Sequence, residues 1–300
     1  MKRFLIKVLF AAGFALLVAV SVIALRIALA QKNVRAAFDV PPGTEVVFIG
    51  NSHTGCTFYE APEFRNRVVW QSAMGFLFHY LRFLEMERLG LLDGGVKTCV
   101  VDCDSPSLDC FLKSAIVQNA IAIFPIVWRY LDKIPVSNGE ILFEAFLRSG
   151  CDYSFREEVP QEVSNWTTRA RERREVYLKV LWYSNGVPPD WDSEAFPRDW
   201  QTRFYEMVAD MKARCDKRGI RLVFFASPLA SDYPDRNDPL VYRRISDVAA
   251  RVRSMGVEYY DYRTTCPDNK FRDAGHLLRS ASYEFTKKFY AEVLKLPVGE

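Results

Sequence analysis

Five short segments of this chain are largely apolar, at 45–49, 67–70, 97–102, 221–226 and 257–261. Continuous apolar runs of this length suit strands buried on both faces of a parallel sheet, where neither face meets water. Between them lie longer stretches with apolar residues at helical spacing: 76–92, 198–218, 239–255 and 280–296. The first stops at Gly94-Gly95, the second at Gly219 and the third at Gly256. Glycine just past a periodic stretch is a helix stop, because it adopts the left-handed backbone that ends a helix without strain. This alternation predicts an α/β domain at 44–300 built on a doubly wound (flavodoxin-like) parallel five-stranded sheet.

Two regions depart from the alternation. Residues 106–197 hold no convincing strand, carry Trp128, Trp166, Trp182 and Trp191, and gain a basic helix face from Arg169 to Arg174. They are expected to form a helical insertion, either an aromatic-filled extra layer or a lid over a sugar or lipid-linked substrate. At the other extreme, Val8 to Leu25 is an apolar run preceded by Lys2, Arg3 and Lys7. That length matches the roughly 17–25 apolar residues needed to cross a bilayer. The basic flank holds its end in the cytoplasm and sends the rest of the chain outward. Residues 1–30 are therefore expected to be a membrane anchor, or a signal peptide cleaved near Ala28-Leu29-Ala30. Arg26 and the length of the run favour the anchor. Residues 31–43, ending in Pro41-Pro42-Gly43, read as a linker.

Removing the leader changes the charge picture. It holds four of the 40 Lys and Arg residues and no acid, leaving 36 basic residues against 37 acidic. A near-neutral domain lacks the basic footprint of a nucleic-acid binder, so no nucleic-acid partner is expected. Seven cysteines, Cys56, Cys99, Cys103, Cys110, Cys151, Cys215 and Cys266, include no CxxC and form no disulfide framework. Cys99 and Cys103 fit the same side of a strand as small core residues. With three histidines and no ligand spacing, neither a metal nor an organic cofactor is expected.

The candidate chemistry lies at the two ends of the domain. The first strand runs into Ile49-Gly50-Asn51-Ser52-His53. In an open parallel sheet, ligands bind beyond the carboxyl ends of the strands, so Ser52 stands where chemistry happens. Backbone N–H groups at such a turn can stabilise an oxyanion. The plainer alternative is that Ser52 only starts or caps a helix. Asp273-Ala274-Gly275-His276 follows the last strand and can place a carboxylate and an imidazole on one loop. Nucleophile, base and orienter would then be Ser52, His276 and Asp273. His53 adjoins Ser52 in sequence, so its side chain is expected to point elsewhere. Cys56 is the rival nucleophile, but a thiol acts only with a depressed pKa.

These two ends resemble the first and last blocks of the SGNH (GDSL-type) hydrolase superfamily. The first is I-G-N-S-H; the last runs from Tyr259-Tyr260-Asp261-Tyr262 to Phe271-Arg272-Asp273-Ala274-Gly275-His276-Leu277, followed by the helix containing Ala281 to Thr286. The likeness covers roughly 44–105 and 200–296 in the right order. It implies Ser52 as nucleophile with His276 and Asp273. Gln71-Ser72-Ala73-Met74-Gly75 falls where the family has the Asn and Gly of its second block, implying Gly75 and Gln71 as oxyanion or substrate contacts. The third block ends here in Asp102-Cys103-Asp104-Ser105-Pro106. Asp104 stands where the family has an oxyanion-donating Asn, with Ser105 beside it. A charged Asp104 would repel an oxyanion, so Asp104→Asn is expected to keep or raise activity. Envelope members of the family, the D-alanine transfer and alginate O-acetylation proteins, share the layout of an N-terminal membrane helix and an exported domain.

The resemblance implies a serine esterase or O-acyltransferase acting through an acyl-enzyme on acyl esters of an envelope glycan or lipid-linked sugar. Its membrane contact would be residues 8–25, with the domain on the periplasmic or extracellular side. The alternative is a non-catalytic envelope assembly or glycan-binding protein that keeps the fold and meets an envelope partner through the insertion.

Overall fold

A computed structural model describes residues 13–14, 17–18, 21, 38, 40–70, 75–104, 128–133, 200–233 and 236–297. The chain divides into two compact units, Met1–Asp39 with Ile116–Glu157 and Val40–Ala115 with Glu158–Glu300. Of the first unit, little beyond the 3₁₀ segment Trp128–Lys133 is described. The rest of the insertion expected at 106–197 lies outside the described residues, as do Cys110, Cys151, Gln71 and Ser105. Only residues 13, 14, 17, 18 and 21 of the apolar run 8–25 are described. Among the described residues no helix is long and apolar enough to cross a membrane.

The second unit is built on five strands: β1 (Val46–Gly50), β2 (Asn66–Trp70), β3 (Thr98–Asp102), β4 (Arg221–Ala226) and β5 (Glu258–Asp261). All pair in parallel in the order β2-β1-β3-β4-β5. Each matches one of the apolar runs to within one residue at either end. β1 and β3 are buried along their whole length, as central strands covered on both faces must be. The helices are α1 (Ser52–Thr57), α2 (Phe76–Arg88), α3 (Trp200–Lys217), α4 (Pro239–Ser254) and α5 (Arg279–Phe289), the last running on into a π-helical turn, Tyr290–Leu294. α2 ends earlier than its periodicity predicts: the left-handed glycine is Gly90, ahead of the Gly94-Gly95 pair.

Alternate residues of the strands feed two apolar layers. On one face Val46, Phe48, Val100, Val223 and Phe225 pack with Phe58, Phe285 and Phe289. Phe48 stacks on Phe58 with ring centroids 3.8 Å apart, and Phe58 meets Phe289 of α5 edge-on at 5.0 Å. On the other face Phe76 of α2 touches Phe204 of α3 at 4.5 Å and Phe224 of β4 at 5.5 Å. Arg251 of α4 lies over the Tyr205 ring of α3, which sets α4 beside it. Helices therefore cover both faces. The chain leaves β1 for β2 on one side and reaches β3 on the other. The carboxyl ends of β1 and β3 thus open the crevice where such sheets bind ligands.

Candidate active site

The turn after β1 is compressed. Gly50 is fully buried, and a Cβ there would fall 1.8 Å from Thr54 Oγ1 and 2.7 Å from Asp102 Cβ. No other residue fits without displacing the next helix. Asn51 leaves the strand in extended conformation and caps α1, its Oδ1 accepting the His53 backbone N–H at 2.7 Å. This leaves Ser52 as the first residue of α1, half-buried and facing the crevice from β1.

His276, the expected base, lies on a small antiparallel hairpin, β6 (Phe271–Asp273) and β7 (His276–Leu277). Asp273 and His276 are directly paired in its register. Directly opposed residues project to one face, which explains the D-x-x-H spacing. The hairpin is fixed from behind by Leu277, buried in the core, and by Ala274, whose carbonyl accepts the Ala230 N–H at 2.9 Å.

The three residues meet. His276 Nε2 lies 3.0 Å from Ser52 Oγ, and His276 Nδ1 lies 2.7 Å from Asp273 Oδ1. The Gly275 N–H also donates to Asp273 Oδ1 at 3.1 Å. A carboxylate only accepts, so Nδ1 carries the proton and Nε2 offers its lone pair to Ser52. Burial acts most strongly on His276 and lowers its pKa, as do His53 and Arg272, while Asp273 raises it; the result lies below the ordinary histidine value. Burial raises Asp273, but the His276 hydrogen bond and charge, the Gly275 N–H and Arg272 outweigh it and hold the carboxyl below its ordinary range. The pair therefore rests as neutral imidazole and carboxylate at neutral pH.

His53 does not turn away from the site, contrary to expectation. It is buried, its Nδ1 donates to Asp104 Oδ2 at 2.9 Å, and its ring meets the His276 ring edge-on at 5.2 Å. Asp104 is fully buried and is also approached by Asn51 Nδ2 at 3.5 Å. Its carboxylate is thus engaged by His53. Asp104→Asn would leave His53 an amide oxygen in place of a carboxylate as its acceptor. Asp102 is fully buried too, held by Thr54 Oγ1 at 2.8 Å and the Asp104 N–H at 3.2 Å. Burial, and then its neighbour Asp104, push its carboxyl well above the usual range despite those bonds. Arg82, buried under the turn and lowered to about 10 by burial, donates to the Gly50 carbonyl at 3.2 Å.

No known protein family matches this chain, and no curated protein does.

The other candidates fall as follows. Gly75 is buried at the start of α2. Gln71 and Ser105 lie outside the described residues. Cys56 is half-buried, 3.5 Å from Arg272 Nη2, and burial raises its thiol above the ordinary value, which removes the thiolate a rival nucleophile needs. Cys99 and Cys103 are buried, as expected of small core residues. Among the described residues no cluster of three or more His, Cys, Asp or Glu side chains could hold a metal ion. Sequence reasoning missed the His53–Asp104 and Thr54–Asp102 pairs. The available signal was two acids, two residues apart, ending a strand that neighbours the one before Ser52.

Proposed function

We propose that this protein is a serine esterase or O-acyltransferase of the SGNH type, acting on acyl esters of an envelope glycan or lipid-linked sugar. The observation that carries the reading is the unbroken chain from Ser52 Oγ through both His276 nitrogens to Asp273, joining residues 224 positions apart. Ser52 Oγ attacks the acyl carbonyl as His276 Nε2 takes its proton. The tetrahedral intermediate collapses, the leaving alcohol receives that proton, and the acyl group stays on Ser52. A water or sugar hydroxyl then gives its proton to His276 and takes the acyl group, and Ser52 recovers its hydrogen. The main-chain N–H groups of Ser52 and Gly75 are assigned to the oxyanion, with Gln71 and Ser105 as substrate contacts.

The envelope setting rests on the N-terminal sequence. Residues 8–25 act as the membrane anchor and the domain stands on the periplasmic or extracellular side. The exposed apolar side chains Phe14, Leu17 and Val18 support this placement. A second reading, a non-catalytic envelope assembly or glycan-binding protein, is favoured by one observation: the third block carries Asp104 where the family has its oxyanion-donating Asn.

Labelling with a fluorophosphonate probe separates the two, since only an activated serine reacts. The esterase reading expects one probe per chain, attached at Ser52 and lost in Ser52→Ala. A folded protein that stays unlabelled favours the second reading.

A further inference from the structure

We infer that His53 and Asp104 form a second histidine–carboxylate pair, a positioning device that holds the His276 ring in place for Ser52. The inference deepens the proposed function and rests on it for the role of Ser52.

Adjacent helical residues point about 100° apart, so when Ser52 faces the crevice His53 turns to its side. There it touches four separate segments. Its backbone N–H is fixed by Asn51 Oδ1 in the nucleophile turn. Its Nδ1 is held by Asp104, just past β3, at 2.9 Å. Its ring meets Tyr233, in the loop after β4, edge-on at 5.6 Å, and His276 on β7 at 5.2 Å with the planes 73° apart. Nε2 lies against Gly275, where a Cβ would sit 2.6 Å away. Gly275 does not adopt positive φ, so the backbone alone does not demand glycine there. The close approach of His53 does.

Precision at His276 needs this support. The base hairpin has three residues in one strand and two in the other, and only its rear is anchored in the core. A reactive geometry is kept by a supporting shell whose own conformation is locked. His53 is locked by the buried Asp104 side chain, and Asp104 is locked by the Asp102 carboxyl oxygen that receives its N–H. The same contact carries an electrostatic consequence. His53 is one of the influences that lower the His276 pKa and so favour the neutral ring.

The groups facing the two rings are Asp273 and Arg272 from β6, Asp104 just past β3, and Tyr233 from the loop after β4. The test is a histidine titration by NMR on the full chain with labelled histidine. Only three histidines are present, and burial holds His79 down to about 3, outside the useful window. The variants are His53→Phe and the double change His53→Phe with Asp104→Asn, the second avoiding an unpaired buried carboxylate. We expect the His276 midpoint to move up in both. We also expect probe labelling above that midpoint to fall about 100-fold, the scale of an ångström-sized misplacement. Gly275→Ala should give the same loss of labelling by pushing His53 aside. A His276 midpoint and a labelling rate that are both unchanged in the folded variants overturn the inference. If wild-type protein fails to label while the midpoint still moves, the pair stands and the esterase reading falls.

Discussion

His276 is pulled in opposite directions by its surroundings, and the balance fixes its pH behaviour. Burial is the largest influence and disfavours the charged ring, while Asp273 favours it; the pKa ends below the ordinary histidine value. A lowered pKa means that the neutral base is present at neutral pH and is lost only as the pH falls through the lowered midpoint. Asp273, itself held low, stays ionised across that range. The rate of probe labelling, measured against pH, should therefore stay level at neutral pH and fall on an acid limb below about 6.5, the reference value for a free histidine. A limb at or above that value would contradict this balance. Gly50 supplies a second prediction. Gly50→Ala drives a Cβ into Thr54 and Asp102, and overpacking of this kind costs about 1–3 kcal/mol, readable as a lower urea midpoint. The meeting of Ser52, Asp273 and His276 was legible in the sequence because Ser52 follows the first strand and the D-x-x-H pair follows the last, at the same edge of a parallel sheet. His53 and Asp104 were not, because their meeting depends on β1 and β3 being neighbours. That is a fact of sheet order which neither segment carries alone.

The elements divide the same way. The five strands were legible because each is an apolar run bounded by breaks, and the long helices because fifteen or so residues carry a clear period. Of α1 only its start at Ser52 was legible, and the β6–β7 hairpin was not. Six residues in one and five in the other are too few to show a period, and their form is imposed by the Asn51 cap and by Leu277 entering the core. α5 follows that hairpin directly and closes one face of the sheet. Its Phe289 is fully buried against Phe48, Phe58, Phe225 and Tyr262. Phe289→Ala should cost about 3–5 kcal/mol in chemical unfolding. Protein still folded under native conditions should label at Ser52 at close to the wild-type rate, because Phe289 supports the sheet and touches none of the three reacting residues. A large loss of labelling in folded Phe289→Ala would show that the hairpin takes its position from α5 as well as from His53.

For the whole molecule, we propose an exported esterase or acyltransferase domain joined to a membrane anchor at residues 8–25. The anchor is tested by sequencing the N-terminus of protein extracted from membranes: retention predicts residues ahead of Ala30, and a start at Gln31 would show cleavage. The central claim is that Ser52 becomes acylated, and the most direct measurement is the mass of the intact chain after brief exposure to a small activated acetyl ester. The account predicts a gain of one acetyl group, mapped by peptide digestion to Ser52. The gain should be absent in Ser52→Ala and slow to form in His276→Ala. Acetylation that persists in Ser52→Ala, or a wild-type chain that gains no acyl group at any pH above the His276 midpoint, would contradict it.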